Sequence, residues 1–150
     1  VSAARPGHAF GFAGARVRDA MRAPIISCGP DLPLGRVAQL MVGARIHCVA
    51  VVDAPRTEGA EGRFRGLLSD LDLISAADAG EDGPATAGEL AGAHLASVGI
   101  DAPLLEAAEV MRQERTHHLV VVDDGRPVGV VSTIDLARAL AWDQPPAPPD

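Results

Sequence analysis

Two short runs hold the residues best suited to chemistry. Gly66 is followed by Ser69 and Asp72, and Gly129 by Ser132 and Asp135, at the same spacing. Each serine sits where an apolar strand should turn into a helix. There the free N–H groups and the positive helix end suit a phosphate, and the hydroxyl can add a hydrogen bond. A carboxylate one turn on can accept hydrogen bonds from two ribose hydroxyls. The glycine in the preceding strand permits close backbone approach. Taken together, these groups would suit a sugar phosphate. The same Ser-x-x-Asp spacing is also a helix capping box, in which the serine caps the third helical amide and the acid reaches back. Both readings stay open on the residues alone.

The elements that must position these residues emerge from an internal repeat. Sliding the chain by 70 positions superposes Ile25–Asp53 on Leu95–Asp123 with twelve identities in 29 positions, among them Arg45 on Arg115 and His47 on His117. The offset then drops to 63, because the first copy carries a longer polar loop, and Gly66, Ser69 and Asp72 meet Gly129, Ser132 and Asp135. Each copy predicts the same order. A short strand (25–28 or 95–98) ends at a glycine, and a helix with proline near its start follows. Two β-rich runs come next (47–52 and 64–68, or 118–122 and 128–131), and a second helix opens at the serine. A further helix is expected just before each copy, around 17–21 and 86–91. The organisation is thus a flexible leader (1–14), a first repeat (15–77), an acidic linker (78–85), a second repeat (86–142) and a proline-rich tail (143–150).

Length and composition bound the function. With 150 residues, the chain is one compact unit or two halves too small to be stable apart. Its thirteen cations are all arginine, which points to coding bias in a GC-rich, bacterial genome. A net charge of −7 opposes nucleic-acid binding, and four aromatic side chains cannot build a base-stacking platform. No apolar run is long enough for a membrane helix and no export signal is visible, so a cytoplasmic location and no membrane partner are expected. Cys28 and Cys48 have neither metal-ligand spacing nor a CxxC arrangement, and are expected to be buried thiols. His117 and His118 point to opposite faces of a strand, which makes them a poor chelate, so no metal is expected.

A strand, a helix, two strands and a helix, with Arg-x-His before a Val-Val-Asp strand end and then Gly66…Ser69…Asp72, resembles the cystathionine-β-synthase (CBS) domain. Two in tandem resemble the CBS pair, or Bateman module, over about residues 17 to 141. The fold expected is therefore α/β in the α+β sense: two βαββα repeats packed face to face with pseudo-twofold symmetry. The resemblance implies a regulatory module with no catalytic residues and no required cofactor. Such pairs bind adenosine-containing ligands in the clefts between repeats: AMP, ADP or ATP first, with S-adenosylmethionine or NAD(H) as alternatives. They report energy or cofactor state to a partner protein and associate as homodimers through their helices.

The resemblance assigns phosphate and ribose contacts to Ser69, Asp72, Ser132 and Asp135, and a phosphate-contacting place to His47 and His117. Arg45 and Arg115 would add permanent charge. Protonated histidine would strengthen a polyphosphate contact below about pH 6.5; the plainer reading is a strand-edge histidine satisfied by backbone or water. Ile26, Ser27, Ala96 and Ser97, on the first strands, would form the wall and polar edge of an adenine pocket, or simply pack. Arg63 and Arg126 read as solvated charges. Two competing functions remain. One is a ligand-free pair that only dimerises or docks. The other is a thiol enzyme using Cys28 or Cys48 with His47, disfavoured because His47 and Cys48, being adjacent, face opposite sides of a strand.

Overall fold

The computed structural model describes residues 11–54, 57–58, 62–91 and 96–142. The tail from 143, most of the leader and Leu95 of the expected strand lie outside these residues. Apolar spacing sets the rest. The chain forms two compact units: residues 11–24 join 96–142 in one, and residues 25–91 form the other.

In the unit of residues 25–91, strand β1 (Ser27–Cys28) leads into helix α3 (Leu34–Ala44) and on to β2 (Cys48–Val52), which pairs with β1 in parallel. Strand β3 (Phe64–Ser69) returns antiparallel to β2, giving the order β1-β2-β3. Helix α4 (Asp70–Ala79) follows, then a 3₁₀ turn (Gly80–Asp82) and one helical turn, α5 (Ala87–Leu90). The acidic stretch expected as a linker is therefore partly the end of α4 and this turn. Val37 and Met41 of α3 bury against Val49, Val51, Leu68 and Ala87. The spacing of Val37 and Met41, four apart, is what turns one helix face to the sheet.

The other unit repeats the plan. Strands β4 (Ser97–Gly99), β5 (His118–Asp123) and β6 (Arg126–Ser132) form a second sheet of the same order, with α6 (Leu104–Glu114) and α7 (Thr133–Ala141). Its core gathers Leu104, Ala107, Met111, Leu119, Val121, Val131 and Leu136. Two short helical turns, α1 (Gly11–Gly14) and α2 (Val17–Ala20), also belong here. Residues 11–14 are thus not loose leader, because Phe12 packs against this core.

The leading turns show a regularity that the sequence repeat does not. The turn before the first copy, α2, bonds to the loop that opens the second copy, through Val17 N–H to Ala102 O (2.8 Å) and Arg18 N–H to Ile100 O (2.9 Å). The turn before the second copy, α5, does the same in the first, through Ala87 N–H to Leu32 O (2.9 Å) and Gly88 N–H to Pro30 O (2.7 Å). The loop after the first strand of each copy is therefore bonded to the leading turn of the other copy. Among the described residues no helix is long and apolar enough to cross a membrane.

Candidate functional site

Both Ser-x-x-Asp runs lie where a strand ends and a helix begins, with the serine as N-cap in extended conformation. In the first copy Ser69 N–H and Ser69 Oγ both donate to Asp72 Oδ2, at 2.7 and 2.9 Å, and Asp72 N–H donates to Ser69 Oγ at 3.2 Å. In the second, Ser132 N–H and Oγ donate to Asp135 Oδ2 at 2.9 and 2.8 Å. The capping geometry is thus formed in both copies. It fixes each carboxylate through one oxygen and leaves the other to be accounted for.

That second oxygen distinguishes the copies. Asp72 is half-buried, and among the described residues its Oδ1 accepts no hydrogen bond. Asp135 is only 3% exposed, and its Oδ1 faces Arg22 Nε at 3.3 Å and Arg138 Nη1 at 3.1 Å. Two arginines neutralise a buried charge that would otherwise be costly.

The expectation of open N–H groups at the helix start does not hold for α4. Asp70 N–H donates to His47 O (2.9 Å), Leu71 N–H to Asp70 Oδ1 (2.8 Å) and Asp72 N–H to Ser69 Oγ. The three amides that would cradle a phosphate are already bonded within the chain, by the His47 carbonyl, the Asp70 carboxylate and the Ser69 hydroxyl in turn. At α7 the first amide is likewise taken, Thr133 N–H by His117 O (3.0 Å).

The histidines are placed by these same bonds. Each backbone carbonyl ties the start of the middle strand to the last helix. The His47 side chain is 68% exposed and its Nδ1 lies 2.9 Å from Asp70 Oδ2. His117 is exposed too, and lines a groove described below. Arg45 and Arg115 are exposed and end α3 and α6 in the left-handed region, at φ 55° and 52°. Glycine is the usual occupant there, and an arginine holds that backbone at a cost of about 1 kcal/mol. The register gathers Ile26, His47 and Ser69 at one end of the first sheet, since Ala50 N–H bonds Ile26 O (2.9 Å) and Ser69 lies opposite Cys48.

Ser27 and Ser97 lie exposed on edge strands, level with Ala50 and Val120. The carbonyls of Ile26 and Ala96 are already used by Ala50 N–H and Val120 N–H, so these two residues can offer a ligand their aliphatic surface and not those acceptors. Gly66 is buried opposite Val51. Gly129 does admit a close backbone, but it is that of Arg22: a Cβ there would lie 2.5 Å from Arg22 O, and Arg22 pairs with Val130 in an isolated bridge. Burial raises the pKa of the Cys28 thiol, which opposes its use as a nucleophile at neutral pH. Among the described residues no group of three or more His, Cys, Asp or Glu is placed to hold a metal ion.

Arg22 and Arg138 were not legible as partners of Asp135. The helical i,i+3 spacing of Asp135 and Arg138 is a signal that could have found one of them; Arg22 lies 113 positions away and leaves no local trace.

Two βαββα units, each bonded to the leading turn of the other copy and each with a capping aspartate in its last helix, are accompanied by two matches to the sequence model of the CBS domain, at residues 17–79 and 87–141. The chain belongs to the CBS domain family. Hypoxic response protein 1 of Mycobacterium tuberculosis is 34% identical over 125 residues, covering 82% of this chain and 83% of that protein. A crystal structure of Hypoxic Response Protein I with two coordinated zinc ions is 31% identical, covers 83% of this chain and 98% of its own, and superposes with a TM-score of 0.65. The CBS domain pair of protein MJ0100, in complex with 5′-methylthioadenosine and S-adenosyl-L-methionine, gives a TM-score of 0.74 at 21% identity, covering 87% of this CBS chain and 98% of that one. CBSX2 in complex with AMP gives 0.68 at 22%, covering 85% and 97%.

Proposed function

We propose that this CBS chain is a regulatory module that binds an adenosine-containing ligand and signals to a partner protein, without catalysing a reaction. One observation carries the reading: the Asp72 carboxylate is held rigid through Oδ2 while Oδ1 accepts no bond among the described residues. A fixed, half-buried acceptor at a strand end matches the vicinal hydroxyls of a ribose, and its ordering cost is met on folding. Two solved proteins of the same fold, the CBS domain pair of MJ0100 and CBSX2, are complexes with adenosyl compounds. With the α4 amides occupied, a phosphate would be met by side chains, such as those of His47, whose carbonyl is bonded to the first amide of α4, and of Arg45 two residues before it. The left-handed arginine retained at the same place in both copies, where glycine would cost less, agrees with a use for its charge.

The other reading is a docking or homodimerising pair, and a specific surface favours it. A groove of ≈ 540 Å³ is lined by Phe12, Met111, Leu136 and Leu140 with Arg115 and His117 at its polar margin. Leu105, Ile134 and Leu140 are exposed on the same unit's helices. Apolar surface left on helices is what helix-to-helix association uses.

Titration of the purified protein with AMP, ADP, ATP, S-adenosylmethionine and NADH, followed by calorimetry and melting temperature, separates the two. Saturable binding of at least one below millimolar is expected. If none binds and sedimentation shows a dimer, docking is the function.

A further inference from the structure

We infer that the duplicated sites are unequal: the chain binds one nucleoside, at Asp72, because its own Arg22 and Arg138 occupy the matching oxygen of Asp135. The inference rests on the ligand-binding reading above and adds which site is used and what closes the other.

The capping bonds are shared, so they do not distinguish the copies. What differs is Oδ1. In the second copy it faces Arg22 Nε (3.3 Å) and Arg138 Nη1 (3.1 Å) on an acid that is almost wholly buried. By the offsets of 70 and 63 the sequence counterparts of these arginines for Asp72 are Gly92, which lies outside the described residues, and Ser75, and neither residue type carries charge. The divergence therefore falls on both cations at once. Arg22 is also fixed by its backbone, since its N–H and O bond Val130 (2.9 and 3.0 Å) over Gly129, which has no side chain to keep it away. A ribose arriving at Asp135 must displace two charge-assisted contacts and leave both guanidinium groups without their buried partner. At Asp72 it displaces water.

Arg22 and Arg138 thus act as internal ligands, and the removal of both should open the second site. The double variant Arg22→Gly/Arg138→Ser gives Asp135 the uncharged residues that the sequence offers Asp72. Equilibrium dialysis with labelled AMP and labelled S-adenosylmethionine, at saturating concentration, counts the equivalents bound. Wild type is expected to take up one, and the double variant two. Adding Asp135→Ala to the double variant should return the count to one. Arg22→Met/Arg138→Ser, which keeps the aliphatic stem at position 22, serves alongside if the melting temperature of the double variant falls, and it too should gain an equivalent. Two equivalents in wild type, or one in both opened variants, overturns the inference and leaves ligand binding standing. Uptake of neither compound by any of the proteins overturns the ligand reading and this inference with it.

Discussion

Asp72 and Asp135 occupy the same place in their copies yet should respond differently to loss. Asp72→Ala removes one capping acid from a partly exposed helix start, and should cost about 1 kcal/mol in urea denaturation. Asp135→Ala removes the same cap together with a buried carboxylate and its two arginine partners. Those partners are half exposed (49% and 55%), so water screens their pairs and the added cost is modest, for a total of about 2 kcal/mol. Equal losses in the two variants would mean that Arg22 and Arg138 contribute nothing at Asp135. At Cys28 burial raises the thiol pKa, so the thiolate fraction at neutral pH lies below that of a free cysteine. Iodoacetamide labelling of a Cys48→Ser variant should accordingly be slow at pH 7 and rise toward the free-thiol rate only at higher pH. Labelling at the free-thiol rate throughout would contradict this.

At the scale of elements, Gly129 and Arg22 connect a strand to the segment after α2. A methyl group at Gly129 would meet the Arg22 carbonyl at 2.5 Å, so Gly129→Ala must push that backbone aside. A loss of about 1 to 3 kcal/mol, the scale of overpacking, should appear in urea denaturation. A neutral effect would show that the bridge to Val130 can yield. The strands and helices themselves were readable because each copy follows simple patterns: short continuous apolar, Val-rich runs in β2 and β5, and Val37 with Met41 or Leu104 with Met111 along the helices. Their ends moved by one or two residues, as at β6, which begins at Arg126 where Val128 was expected. What escaped the sequence were bonds between distant segments. The pairing of α2 with Ala102 and Ile100 leaves no periodic signal, nor does the Arg22 contact. Of the occupied amides of α4, that of Leu71 depends on the Asp70 carboxylate, which the Ser-x-x-Asp spacing passes over, and that of Asp70 on the distant His47 carbonyl.

For the whole molecule, duplication produced two sheets of one topology, and the loop after each first strand is bonded to the leading turn of the other copy. Signalling needs a ligand that prefers one arrangement of the chain over another, and only differential affinity can shift such an equilibrium. Any ligand bound to the folded chain alone raises its stability by about 2.7 kcal/mol at a hundred times its dissociation constant, so binding should also be visible as a higher melting temperature. A ligand that saturates calorimetrically with no rise in melting temperature would have to bind the unfolded chain as well. The central claim is that the free oxygen of Asp72 receives a ribose. Calorimetric titration of AMP and S-adenosylmethionine into wild type and Asp72→Ala tests it most directly. The account expects saturable binding below millimolar in wild type and at least tenfold weaker binding in the variant, the scale of a lost charge-assisted hydrogen bond. Superimposable isotherms for the two folded proteins would contradict it.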